Sequence, residues 1–405
     1  MSFDAIVIGA RCAGSPTAML LARQGHQVLL VDKATFPSDT MSTHVVHPPG
    51  VAALERWGLL PALEDTGCPP VETYSFDFGP VGIAGSPQPI DGIARAYCPR
   101  RTVLDDLLAQ AAVRAEAELR EAFTVDEILF DDDGRVTGIR GHSNDGASVT
   151  EHARVVVGAD GRHSRLAKAV QPEAYNERRS HLAMYYAYWS NLPSGGFDTF
   201  IRAENRRGWA AIATHDDLTV VPFGWPVEEF HANRGDIEGN FLEMVELAPE
   251  FAERVRGATR ESKFVGSAEL PGYFRKPYGP GWALVGDAGY HKNPITAMGI
   301  NDAFRDAELV AMAIDDDIAG RRSYEDGMRA YQEIRDREAT PVYELTDEFA
   351  QLQPPPPELQ QLIGAMQGNQ EAMDAFVSVQ AATLPAPEFF APENVGRIMA
   401  AAGAR

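Results

Sequence analysis

Three apolar runs of the sequence each end at a turn that contains glycine, and two of these turns also carry an aspartate. Gly9 follows the run 4–8, Asp160 follows the run 154–159, and Asp287 lies at the end of the run 282–286. In an open parallel sheet, the carboxyl ends of the strands line the crevice in which a dinucleotide binds. The three turns together therefore predict one nucleotide site assembled from distant parts of the chain.

The first turn has the sequence context of a dinucleotide fingerprint. Gly9 permits a tight turn after a strand, Gly14 lets the next helix approach that strand, and the N-terminus of the helix faces a pyrophosphate. Asp32 ends the following strand, where it can accept hydrogen bonds from a ribose. Arg11 stands at the middle glycine position, so either its guanidinium adds charge to the phosphate site or the turn binds more loosely than usual.

Composition excludes several classes of protein. The chain has 405 residues, 44% of them hydrophobic, which is enough for two packed cores. Its formal charge of −22 argues against a nucleic-acid partner, because binding phosphate backbones needs a basic surface. Three cysteines are too few for a disulfide framework and lack metal-ligand spacing, so we expect no metal and a reducing, cytoplasmic location. No segment approaches a membrane span, and the oligomeric state stays open.

The elements that must position the turns form an α/β pattern. Strand-like runs at 4–8, 27–31, 154–159 and 282–286 alternate with helical patterns, which predicts a Rossmann-like domain. We expect this domain to be discontinuous, over residues 1–75, 95–175 and 270–345. The aromatic, β-prone stretch 180–225 predicts an inserted antiparallel-sheet substrate domain over 76–94 and 176–269. A C-terminal helical segment, 346–405, either closes over the pocket or forms a subunit interface.

The order and separation of 9–14, Asp160-Gly161 and Gly286-Asp287 resemble the three fingerprints of class A, single-component FAD-dependent monooxygenases, the aromatic hydroxylase group. The resemblance covers about residues 1–340. It implies that Asp160 lies where the protein contacts both FAD and the nicotinamide cofactor. It also implies that Asp287 hydrogen-bonds the ribityl chain of FAD and that Pro294 lines the flavin ring.

Two helix starts carry further expectations. Arg101 precedes a leucine-rich helix, and the resemblance implies that it reaches ribityl or phosphate oxygens. The alternative is an exposed residue that caps the helix, and Arg100 is the reserve candidate. Gly299, Ile300 and Asn301 begin a helix after the third fingerprint. A helix N-terminus aimed at the pyrimidine edge of the flavin favours the anionic reduced form by about 0.3 to 1 kcal/mol.

Histidines in the loop 42–50 are candidates for chemistry, because this loop resembles the family's stretch beside the flavin ring. His44 or His47 could position a phenolate or donate a hydrogen bond to the flavin, since histidine titrates near neutral pH. For His44 the catalytic and loop-stabilising roles are equally favoured, and for His47 loop stabilisation is favoured. The family often carries histidine where this chain has Tyr290, with His291 next, and we assign neither a role.

The aromatic run 185–189 predicts a strand whose side chains alternate between two faces. The aromatic residues of this run are Tyr185, Tyr186, Tyr188 and Trp189. At most half of them can face a substrate pocket, and for each one packing within the sheet is the favoured role. His215 lies in a predicted turn, where we expect it to be exposed.

A second glycine fingerprint for NADH or NADPH is missing from the sequence. One interpretation of four basic residues is that the nicotinamide cofactor docks on them transiently, and an equally favoured one is that they form a solvated surface. The four residues are Arg162, Arg165, Lys168 and Arg95. The sequence does not distinguish NADH from NADPH.

The resemblance implies a flavoprotein monooxygenase. A nicotinamide cofactor would reduce FAD, dioxygen would add at flavin carbon 4a, and the distal oxygen of the hydroperoxide would pass to an aromatic or polycyclic substrate. A Baeyer-Villiger outcome would use the same cofactors. The alternatives are an FAD-dependent reductase or dehydrogenase, or a halogenase on the same scaffold. Halogenases of this kind carry a Trp-x-Trp-x-Ile tract, and here the stretch 209–212 keeps only its first tryptophan, Trp209.

Overall fold

The computed structural model describes residues 2–144 and 146–403. The strands follow in chain order: β1 Phe3–Ile8, β2 Val28–Val31, β3 Pro70–Val71, β4 Tyr74–Asp77, β5 Gly82–Gly85, β6 Ala96–Tyr97, β7 Glu118–Arg120, β8 Thr124–Phe130, β9 Val136–His142, β10 Ser148–Gly158, β11 Ala174–Arg178, β12 Leu182–Ser190, β13 Phe197–Arg202, β14 Arg207–Ala213, β15 Thr219–Pro226, β16 Thr259–Arg260, β17 Val265–Ser267, β18 Gly272–Arg275, β19 Tyr278–Gly279, β20 Trp282–Leu284 and β21 Tyr290–His291.

The α-helices follow in the same way: α1 Gly14–Arg23, α2 Pro48–Arg56, α3 Leu60–Glu64, α4 Arg101–Arg114, α5 Arg165–Val170, α6 Phe230–Asn233, α7 Ile237–Val245, α8 Pro249–Arg256, α9 Gly299–Ile318, α10 Tyr324–Ala350, α11 Pro357–Met366, α12 Gln370–Gln380, α13 Ala386–Phe389 and α14 Pro392–Gly403. Short 3-10 turns cover Ala203–Asn205, Val227–Glu229, Gly286–Ala288 and Pro294–Thr296. Within the described ranges, no helix is long and apolar enough to cross a bilayer.

The first sheet has the order β19-β20-β10-β1-β2-β7, and its central pairs are parallel. β1 and β2 are almost wholly buried, as expected for continuous apolar runs covered on both faces. β10 is longer than its apolar run, because its first half pairs with the antiparallel strand β9 and alternates between exposed and half-buried positions. The α/β prediction is confirmed, and the carboxyl ends of five parallel strands, β20, β10, β1, β2 and β7, lie at one edge.

The second sheet has the order β16-β12-β15-β14-β13-β4-β5, with β17 beside β12. Its pairs are antiparallel except for β13 with β4. On β12, Tyr185 and Trp189 pack on one face with α7 and α8, whereas Tyr186 and Tyr188 pack on the other face. The side chains of the aromatic run therefore divide between two cores, as their alternation predicts.

The C-terminal helices cover the second of these faces. α10 ends at Ala350, and residues 351–356 separate it from α11, which begins at Pro357, the last residue of the proline run. Leu362, Ile363 and Phe389 are buried in the same cluster as Tyr186. The structure thus places the segment over the second sheet of its own chain.

Replacement of Phe389 by alanine tests this cover. Phe389 is fully buried and contacts Phe376 and Phe390 edge-on. We expect Phe389→Ala to lower the free energy of unfolding by about 3 to 5 kcal/mol, since the cavity left behind adds to the lost apolar burial. Urea unfolding measures the change. Met399→Ala, on exposed surface, is the control, and similar losses in the two variants would contradict the packing described.

Candidate functional site

A cavity of about 1270 Å³ lies at the edge where the parallel strands end. One part of its wall consists of the turns that follow β1, β2, β10 and β20. The far part consists of the loop before α9, the start of α9 and one edge of the second sheet. The wall includes Gly9, Arg11, Asp32, Arg101, Asp160, Gly286, Asp287, Pro294, Met298, Gly299, Ile300, Met184, Tyr185, Tyr186 and Pro222. Most of the predicted site residues therefore meet in one cavity.

The glycine turn after β1 is fixed by close backbone packing. Gly9 has a φ of +102°, and a Cβ added there would stand 2.5 Å from the carbonyl oxygen of Ala159. A Cβ on Gly14 would overlap the carbonyl oxygen of Gly9. Asp32 accepts hydrogen bonds from the backbone N–H groups of Ala10 at 2.7 Å and Ala34 at 2.8 Å. Asp32 thus holds the turn, and a carboxylate has further lone pairs for a ribose.

Arg11 and Arg101 share one buried carboxylate. Nη1 of Arg11 donates to Asp105 at 2.5 Å, and Arg101 donates to both carboxylate oxygens at 3.0 Å. The thiol of Cys12 also donates to Asp105, at 3.3 Å, and burial raises the pKa of this thiol. Asp105 is fully buried. It therefore aligns two guanidinium groups along the wall of the cavity beside the glycine turn.

The exposed-cap interpretation of Arg101 is wrong, because this residue is buried and lines the cavity. Arg100 takes the N-cap position of α4, and its guanidinium lies over the ring of Tyr188 at 5.2 Å. Our sequence reasoning missed Asp105. Its spacing of four residues after Arg101 on one helix face was the available signal.

The two aspartates of the later turns differ in their surroundings. Oδ2 of Asp160 accepts the backbone N–H of Arg165 at 2.6 Å, and burial raises the pKa of this carboxyl. Oδ1 of Asp160 is buried without a hydrogen-bond partner among the described residues. Asp287 is exposed to the cavity, and the turn before it is fixed by Asp306, whose carboxylate accepts the N–H of Gly286 at 3.2 Å. Asp306 was not predicted, and no local pattern indicates it.

His44 is buried and neutral. Its φ is +68°, and Nε2 lies 2.6 Å from the hydroxyl of Tyr188. Burial, helped by the nearby cations Arg101 and Arg100, lowers the pKa of His44 to about 3 despite an opposing contribution from Ser42. The expectation of titration near neutral pH is therefore wrong for this residue. His44 does not line the cavity itself, although its neighbours Ser42 and Thr43 do.

His47 joins the second sheet to the loop before α9. Nδ1 lies 2.8 Å from the hydroxyl of Tyr74, and Nε2 lies 3.3 Å from the carbonyl oxygen of Thr296. A carbonyl only accepts, so Nε2 carries the proton and Nδ1 accepts from Tyr74. Burial lowers the pKa of His47 to about 4. These contacts give His47 a loop-stabilising position.

Asn301 is part of the same connection. Its side-chain oxygen accepts the backbone N–H of His47 at 3.1 Å, and it does not line the cavity, unlike Gly299 and Ile300. The side-chain oxygen of Asn301 thus faces the loop, whereas its amide nitrogen is buried without a hydrogen-bond partner among the described residues. Pro294 begins the 3-10 turn that Thr296 ends, directly in the cavity wall.

The structure also places His215 and the basic set that was considered for nicotinamide docking. His215 is buried, not exposed, because Nε2 bonds the hydroxyl of Thr66 at 2.9 Å and Nδ1 accepts the N–H of Arg100 at 3.3 Å. Arg95 does not line the cavity, and it bonds Glu64 at 2.8 Å and Tyr97 at 2.9 Å. The rest of that basic set does line the cavity: Arg162, Arg165 and Lys168.

Comparison with known proteins identifies relatives over most of the chain. The family described as "FAD binding domain" matches residues 2–346. Digeranylgeranylglycerophospholipid reductase 1 of Methanopyrus kandleri is 27% identical over 364 residues, which are 87% of this chain and 91% of that protein. The 6-methylpretetramide 4-monooxygenase of Streptomyces rimosus is 27% identical over 312 residues, 75% of this chain and 73% of that protein.

A solved structure shares the fold. The myxobacterial chondrochloren halogenase, described as an FAD-dependent halogenase, superposes with a TM-score of 0.79 at 24% identity. The match covers 99% of this chain and 96% of that one. At this identity, the likeness concerns the fold alone.

Replacement of Asp105 tests the shared carboxylate. Asp105→Ala leaves Arg11 and Arg101 without their buried counter-charge, and breaking a buried ion pair costs about 3 to 5 kcal/mol. We expect that loss of stability in urea unfolding, together with weaker FAD binding in a fluorescence titration. Asp106→Ala is the matched control, since within the described part of the chain that carboxylate accepts a side-chain hydrogen bond only from Gln110, at 3.5 Å. Unchanged FAD affinity in Asp105→Ala would speak against the assignment.

The buried histidines predict how stability depends on pH. Because the folded pKa of His47, about 4, lies below the ordinary 6.5, the unfolded chain binds more protons below pH 6.5. The free energy of unfolding therefore falls as the pH drops from 6.5 to 4, by up to about 1.4 kcal/mol per pH unit. In urea unfolding at several pH values, His47→Gln should give a shallower slope. His231→Gln, on the surface, should keep the wild-type slope, and equal slopes in all three proteins would refute the prediction.

Proposed function

The chain belongs to the FAD-binding domain family and is an FAD-dependent oxidoreductase, and we propose on that premise that it is an NAD(P)H-consuming monooxygenase. Its substrate in this proposal is an aromatic or polycyclic small molecule, which it hydroxylates with dioxygen. When bound, FAD supplies the electron transfer and the activation of dioxygen. The residues of the chain bind and orient the reactants and exclude water.

The cavity fits FAD at the nucleotide end. Gly9 lies in the cavity wall without a side chain, and Ala13, at the N-cap of α1, lines the same wall. Arg11 and Arg101 provide cationic groups suited to a pyrophosphate. Asp160 has a buried oxygen without a partner among the described residues, and Asp287 has a carboxylate exposed to the cavity. These two carboxylates would bind hydroxyl groups of the cofactor.

The observation that carries the proposal is the continuity of the cavity. It runs from the glycine turn, past the Pro294 loop, to the edge of the aromatic sheet at Met184, Tyr185 and Tyr186. A planar ring system held at that end would meet apolar and aromatic side chains. Such a wall suits an aromatic substrate and keeps water from the reacting atoms.

A reductase or halogenase on the same scaffold is the second candidate, because the relatives include a named reductase and a halogenase shares the fold. Trp209 bears on halogenation, since it is the retained tryptophan of the halogenase tract. It stacks on Phe200 at 5.2 Å and packs near Phe251, on the face of the second sheet that α7 and α8 cover. In this chain that tryptophan belongs to a core, which weakens the halogenase alternative and leaves the reductase alternative open.

Product analysis with isotopic oxygen distinguishes the candidates. The FAD-loaded protein is incubated with NADPH or NADH and a panel of aromatic and polycyclic compounds under ¹⁸O₂. We expect ligand-stimulated oxidation of the nicotinamide cofactor and one ¹⁸O atom in the product. A product formed without oxygen would indicate a reductase, and a halogenated product that requires added chloride or bromide would indicate a halogenase. Either result would replace the proposal.

A further inference from the structure

Lys292 is a charged side chain in the wall of the cavity, and it lies outside the three turns that form the nucleotide end. It lies two residues before Pro294, in the loop between Asp287 and α9, and it lines the cavity. Its side chain is only 5% exposed. Burying an ammonium group is costly unless the group is paired, so its place in this wall requires a compensating interaction.

The partner of Lys292 is Asp302, in the first turn of α9. Asp302 also accepts from Arg305 at 3.0 Å, and Arg305 pairs with Asp306 at 2.8 Å. Burial opposes ionisation of Asp302, but the two cations together lower its pKa. The four groups therefore alternate in sign and sum to zero charge.

Of these four groups, Lys292 and Asp302 line the cavity, whereas Arg305 and Asp306 lie behind them. Nζ of Lys292 also stands 4.9 Å from the centre of the Tyr290 ring, which limits where the ammonium can move. The N-terminus of α9 opens into the same part of the wall at Gly299. A fixed ammonium and the positive end of a long helix thus act on the same end of the cavity.

We propose that Lys292 sets the reduction potential of bound FAD by stabilising its reduced form. The inference rests on the FAD-binding part of the proposed function and not on the substrate. NAD(P)H is oxidised by loss of a hydride, and the two electrons and one proton pass to FAD, which gains one negative charge. A buried cation attracts that charge more strongly than an exposed one, because the surroundings screen it less. The competing role is a purely structural link between the loop and α9.

The midpoint potential of the FAD-loaded protein separates these roles. It is measured by anaerobic reduction in the presence of a reference dye. In Lys292→Met we expect the ratio of reduced to oxidised FAD at a given potential to fall at least tenfold, which corresponds to about 30 mV. Asp302→Asn removes the counter-charge and should shift the potential upwards. Lys292→Arg keeps the charge and should stay near the wild-type potential.

Lys33→Met is the matched control, since Lys33 lines the same cavity beside Asp32 and is exposed. It loses the same charge and should keep the wild-type potential. Lys292→Gln tests the same charge loss with a polar side chain if the methionine variant fails to fold. A structural link predicts a lower melting temperature and weaker FAD binding, with an unchanged potential of the FAD that remains bound.

An unchanged potential in the charge-loss variants, or shifts of the same sign in Lys292→Met and Asp302→Asn, would overturn the proposal. A protein that binds FAD with the expected shifts but oxygenates no compound would refute the monooxygenase function and leave the role of Lys292 supported. A protein that takes up no FAD would overturn both.

Discussion

The site depends on a negative charge that is buried away from water. Asp105 has no exposure, yet it pairs with both Arg11 and Arg101 and accepts from the thiol of Cys12, so the two arginines and this carboxylate carry a net charge of about +1. A single buried carboxylate would be expensive, and two guanidinium groups on one wall would repel each other. Pairing the carboxylate with the guanidinium groups lowers the free-energy cost of burying each charge. The hydrogen bonds also fix the positions of these groups relative to one another. The two guanidinium groups at the cationic end of the cavity are therefore both hydrogen-bonded to one buried side chain of α4.

The same principle recurs at the third turn. Asp306 is fully buried, pairs with Arg305, and accepts the N–H of Gly286. In both places a helix carries a carboxylate inward and a neighbouring turn is hydrogen-bonded to the resulting ion pair. The two turns have few buried side chains of their own. These hydrogen bonds attach each turn to a helix that is packed in a core. This arrangement keeps Asp287 exposed while the residues around it are buried.

The sequence predicts the fold well because its signals are local. Apolar runs that end at glycine identify β1, β10 and β20, and an aromatic, β-prone composition identifies β12. The site was predicted less completely, because burial and partners depend on chain segments far apart. His44 and His47 are ordinary histidines in sequence, and only their burial in the folded protein lowers their pKa values. Asp105 could have been found from its spacing after Arg101, whereas the contact of Asp306 with Gly286 has no local signature.

The central place of β1 has a consequence for how the chain assembles. Phe3 at its start pairs with Ala153, and β10 in turn pairs with β20, so the middle of the sheet is complete only when segments far downstream have arrived. Contacts of such long sequence separation slow folding, since loop closure precedes any gain from pairing. During synthesis, β1 can pair with β2 but not with β10 until residues 153–158 have been made. Until residues 153–158 and then 282–284 have been made, the growing sheet keeps an unpaired strand edge at which other chains can pair.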